Sequence, residues 1–133
     1  MTKNYFTLGE IFRNCSPEEI HKALINNQIC ENIYRSWISL NYLRHLYGCP
    51  IIINSGYRDD AHNKRVGGVP NSQHKDGIAF DIRSLDLDGL KAFIERMGKN
   101  DEFFFGQVIF YRTFVHITFS NSRYPRYSPL YNV

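Results

Sequence analysis

A chain of 133 residues with 43% hydrophobic content can bury one core and leaves too little for a second independent domain. The formal charge of +3 is spread without a basic run, which argues against a dedicated nucleic-acid surface and leaves only a mild bias toward an anionic polymer. Aromatic residues at 15% argue against disorder.

Thr7-Leu8-Gly9-Glu10 and Ser16-Pro17-Glu18-Glu19 both fit a capping box, so short helices are predicted over 8–14 and 17–27. From Glu31 the apolar residues Ile33, Trp37, Leu40 and Leu43 recur at three- and four-residue steps, which predicts the main helix, stopped by Gly48. Ile51-Ile52-Ile53 suits a buried strand, and 79–82 a second. Between them, residues 59–77 lack periodicity and read as one long loop, a length that usually carries function. Leu87 to Met97 is amphipathic and Gly98 its stop, after which runs over 103–111 and 113–119 predict an antiparallel hairpin. The core spans about 5–119, and the polar tail 120–133 is expected to pack loosely. Together these elements predict a single α+β domain over 1–133, with N-terminal helices on a small, largely antiparallel sheet.

Cys15, Cys30 and Cys49 lack C-x-x-C spacing and read as reduced, partly buried thiols. No segment has the length and apolarity of a membrane span or the pattern of a secretory leader, so synthesis as a soluble cytoplasmic protein is expected.

The chemistry lies in His74, Asp81 and His116. Histidine and aspartate seven residues apart, with Gly77 between them and a strand reaching the aspartate, bring two zinc-type ligands across one turn. His116 lies between Val115 and Ile117, and strand alternation turns it to the face opposite both. Two imidazoles and one carboxylate satisfy a hydrolytic zinc site with a position left for water, which makes a metallohydrolase holding one zinc ion the leading reading. Taken singly, His74 also fits a polar loop, Asp81 a backbone cap and His116 a satisfied core position.

Ser55-Gly56-Tyr57-Arg58, Asn63, the run from Val66 to His74, Gly77, Ala79, Asp81-Ile82, Gln107-Val108-Ile109 and Phe114-Val115-His116 together resemble the D-Ala-D-Ala carboxypeptidase family of zinc peptidases. The resemblance is to its compact single-domain type, related to phage L-alanyl-D-glutamate endolysins, and runs from about Tyr5 to Phe119. It implies zinc on His74, Asp81 and His116, and a substrate drawn from peptidoglycan stem peptides. It also implies action at the bacterial cell wall, with delivery by a phage lysis system or virion, and a monomer. Arg58 takes the place of the family's arginine, where a planar cation suits a peptide carboxylate or developing oxyanion. Ser72 falls on a serine that serves either substrate or the loop itself.

One departure stands out. Many members carry a carboxylate three residues before the last histidine, where it takes a proton from the attacking water; here that residue is Thr113. In compact members the corresponding glutamate ends the preceding strand, at the place of Tyr111. A threonine cannot act as a base at neutral pH. Tyr111 is left as a hydroxyl donor to an oxyanion, and Glu102 or Asp76 as a carboxylate arriving from elsewhere. The departure keeps open an alternative: a catalytically weak or inactive domain that binds wall peptides or a protein partner.

Overall fold

The computed structural model describes residues 4–119 and 127–132. Helices α1 (Leu8–Ile11), α2 (Pro17–Ile25) and α3 (Asn27–Tyr47) precede strand β1 (Ile52–Ser55). Then come α4 (Asp60–Arg65), a 3-10 turn at Gln73–Asp76, β2 (Ala79–Arg83), α5 (Leu87–Lys99), the hairpin β3 (Val108–Tyr111) and β4 (Val115–Thr118), and β5 (Leu130–Asn132). The strands form one sheet in the order β1-β2-β4-β3-β5, antiparallel at every pairing except the parallel β3–β5. This is the α+β domain expected.

Local chemistry explains the starts and stops. Both predicted capping boxes are present: Thr7 and Ser16 each accept from the amide of the glutamate three residues on, which reaches back to the cap. Helix α3 starts earlier than the periodicity implied, because the Asn26 side chain accepts from Ile29 N at 3.0 Å and caps it there. It ends as expected at Gly48, whose φ of 80° is left-handed. Helix α5 runs through Gly98 and ends at Lys99 instead, with Asn100 as its cap.

Two further expectations are corrected. The segment 59–77 is not one loop. Asp59 caps α4 by accepting from His62 N at 2.8 Å, and Ser72 caps the 3-10 turn by accepting from His74 N at 3.2 Å. Both elements are too short to display periodicity. The C-terminal tail is not wholly loose either, since β5 adds to the sheet beside β3 and Tyr131 stacks on Phe110 with ring centroids 5.3 Å apart.

The core lies between the sheet and the helices. Leu40 and Leu43 of α3, Leu90 and Ile94 of α5, and Ile53, Phe80, Ile82, Val115 and Ile117 of the sheet are all buried. One edge of α3 also secures the segment carrying His74: Asn32 Nδ2 donates to Asp76 O at 2.9 Å, and Ser36 Oγ to Gly77 O at 3.2 Å. Gly77, at φ 78°, sits so close that a Cβ there would lie 2.6 Å from Ile33 Cγ1. No residue other than glycine meets both conditions cheaply.

Candidate metal centre

Antiparallel register sets two of the three predicted ligands side by side. Asp81 of β2 is paired directly with His116 of β4, so their side chains rise from the same face of the sheet. His116 Nδ1 lies 2.8 Å from Asp81 Oδ1. His74 comes from the 3-10 turn above them, with its Nε2 3.2 Å from the same Oδ1. Ligand atoms of the three residues all fall within 4.8 Å of one another, an arrangement able to hold a metal ion.

The loop after β1 orients His74. Its Nδ1 lies 2.7 Å from Gly56 O and donates to that carbonyl, while Arg58 N donates to His74 O at 3.1 Å. Two hydrogen bonds in opposite directions thus bind the Ser-Gly-Tyr-Arg motif to the Ser-Gln-His motif. With a proton on Nδ1 committed to Gly56, His74 leaves Nε2 facing Asp81, the nitrogen a metal ligand would use. The donor set, two imidazole nitrogens and a carboxylate oxygen, fits zinc.

Burial alone acts to raise the Asp81 pKa, yet hydrogen bonds from His116 and His74, with the field of both rings, hold it well below the usual carboxylate range. The remaining oxygen, Oδ2, faces Arg58 Nη2 at 3.4 Å. Arg58 is no loose surface cation. Its Nε donates to Ser55 Oγ at 3.0 Å and its Nη1 to Asn63 Oδ1 at 3.2 Å, so the guanidinium is held on three sides. A register shift in β1 between Ile53 and Ser55 carries Ser55 opposite Asp81, within reach of the arginine.

These residues border a cleft of about 570 Å³. Arg58, Ser72, His74, Asp81, Tyr111 and His116 all line it, so the residues assigned to metal, substrate and oxyanion lie at one place. Val66, Val69, Ile109 and Phe114 add apolar surface. Tyr111 lies face to face with Phe114, ring centroids 4.5 Å apart at 13°.

The replacement bases do not arrive. Thr113, Asp76 and Glu102 are exposed and none borders the cleft, whose lining among the described residues includes no carboxylate besides Asp81. Glu102 lines a separate groove of about 810 Å³ with Trp37, Tyr42 and Phe104. Sequence reasoning also missed the roles of the Gly56 carbonyl and Asn63, since hydrogen bonds to a backbone oxygen or from a buried amide leave no pattern in residue types.

A family model described as Peptidase M15 matches residues 4–118, which include every residue of the cleft. No curated protein matches the chain.

Proposed function

The chain belongs to the peptidase M15 family, and from that premise we propose that it is a zinc-dependent peptidase that hydrolyses an amide bond next to a D-amino acid in peptidoglycan stem peptides. The observation that carries this reading is the convergence of His74, Asp81 and His116 at the floor of a cleft bordered by Arg58.

In this reading His74 Nε2, His116 Nδ1 and Asp81 Oδ1 hold one zinc ion. When bound, zinc polarises the scissile carbonyl and makes water acidic enough to serve as nucleophile near neutral pH. The protein supplies the rest. Asp81 arrives ionised, so it requires no deprotonation when the site is filled. His74 is held in its tautomer by Gly56. Arg58 turns a planar, permanently charged donor toward the substrate's carboxylate or the oxygen on which negative charge develops. Ser72 and the Tyr111 hydroxyl offer further hydrogen bonds from the walls. Val66 and Val69, both more than half exposed, give the substrate an apolar rim.

Action at the bacterial wall follows from this substrate, as part of a phage lysis or virion-associated system, and a monomer suffices because one chain provides the whole cleft. No helix among the described residues is long and apolar enough to cross a membrane. A second reading rests on the described residues of the cleft lining, which include no carboxylate other than Asp81: a domain that binds wall peptides without cutting them. Elemental analysis together with mass spectrometry of the products released from purified peptidoglycan separates the two. The peptidase reading expects about one zinc per chain and released amino acid or peptide products, which a chelator stops and zinc restores; bound zinc with wall retention and no cleavage favours the binder.

A further inference from the structure

Asn63 is neither a candidate ligand nor a residue of the cleft lining, yet it is 2% exposed and every polar group it carries is engaged with its neighbours, three of which do line the cleft. Its Oδ1 accepts from Arg58 Nη1 at 3.2 Å and its Nδ2 donates to Val69 O at 2.7 Å. Its backbone carbonyl accepts from Gly68 N at 2.8 Å, and its amide donates to Asp59 O at 2.9 Å. One buried side chain therefore ties the arginine to the glycine-rich rim beside it. The fit is close: a Cβ on Gly68 would lie 2.0 Å from Asn63 Oδ1 and 3.0 Å from Arg58 Nη1.

We propose that Asn63 is a positioning residue that fixes the Arg58 guanidinium against the 66–69 rim, and thereby the direction in which the arginine meets substrate. The role rests on the peptidase reading of the same cleft. Asparagine suits it because one planar amide offers an acceptor to a cation and a donor to a carbonyl at once. Aspartate keeps the first arm and turns the second into oxygen against oxygen. Alanine removes both, leaving a charged donor and a carbonyl short of partners.

The test uses zinc-loaded full-length protein in four forms: wild type, Asn63→Ala, Asn63→Asp and Asn63→Ala combined with Arg58→Lys. Loss of a hydrogen bond to a charged group predicts kcat/KM on a wall peptide lowered about ten- to a hundredfold in Asn63→Ala with zinc content unchanged. In the Arg58→Lys background the same change should cost far less, because the group being positioned is already gone. Asn63→Asp should loosen the rim alone, speeding amide hydrogen exchange at Gly68 and Ser72, whose amides donate to Asn63 O and Val69 O. An equal loss in both backgrounds overturns the proposal, as does rim exchange identical to wild type in both single variants. Should wild type cut no wall peptide, the peptidase reading fails by itself, and the exchange measurement still decides whether Asn63 holds the rim. Should Asn63→Ala not fold, the isosteric aspartate variant answers through the same exchange signals and its zinc content.

Discussion

Asp81 gives one oxygen to both histidines and the other to Arg58, so a single carboxylate links the candidate ligands to the candidate substrate anchor. His74→Ala and His116→Ala should therefore each lose zinc and, with it, the stability that binding to the native state adds, read by elemental analysis and melting temperature. Full zinc in both would remove the centre. Arg58→Lys should keep the metal and lower kcat/KM, since an ammonium cannot serve Ser55, Asn63 and a substrate together. Tyr111→Glu puts a carboxylate on the cleft wall and should raise hydrolysis, by up to about a hundredfold if the native site lacks a base. Thr113→Glu, exposed and outside the cleft, should leave the rate unchanged. Cys15 belongs to a different cluster. Its Sγ–H donates to Tyr57 O at 3.2 Å beside Glu19 and His62, which are themselves joined at 2.8 Å. Burial, reinforced by Glu19, pushes the Cys15 thiol from 9.0 up to about 12, and burial with Asp59 pushes Tyr57 from 10.0 to about 12. The unfolded chain sheds these protons first, so their contribution to stability is complete below about pH 9 and lost as pH rises toward 12. Urea midpoints at pH 8 and pH 11 should differ less in Cys15→Ala than in wild type, and an equal drop would show that the thiol contributes nothing.

At the scale of elements, the site is a meeting of three segments fixed by backbone bonds. Strands β2 and β4 set the Asp81–His116 pair, the 3-10 turn brings His74, and the loop after β1 holds both His74 and Arg58. Gly56 is a joint closed by backbone: a Cβ there would lie 2.3 Å from Ile11 O and 3.3 Å from the Phe80 ring. Gly56→Ala should cost about 1–3 kcal/mol in chemical denaturation and weaken zinc affinity by displacing the carbonyl that orients His74. Unchanged stability and affinity would mean that the loop yields freely. The same contrast governs what the sequence made legible. Capping boxes, the Gly48 stop and the alternation around His116 are local patterns, and each predicted its feature. Helix α4, the 3-10 turn and β5 owe their form to partners far along the chain, among them Asp59 N on Glu19 Oε2 at 2.8 Å and Asn32 on Asp76 O. Short elements made by tertiary bonds leave no period to read.

For the whole molecule, one domain supplies a rigid sheet floor, an arginine wall and an apolar rim around a cleft of about 570 Å³. That volume admits a short peptide segment rather than a folded protein, in keeping with a stem-peptide substrate. The central claim is metal-dependent cleavage next to a D-amino acid, and two synthetic stem peptides that differ only in the configuration at that residue test it most directly. Mass spectrometry after incubation with zinc-loaded protein should find the D peptide cut and the L peptide intact, with cleavage abolished by a chelator and recovered on adding zinc. Cleavage of both peptides at equal rates, cleavage that survives chelation, or no cleavage of either by protein carrying a full complement of zinc would contradict it.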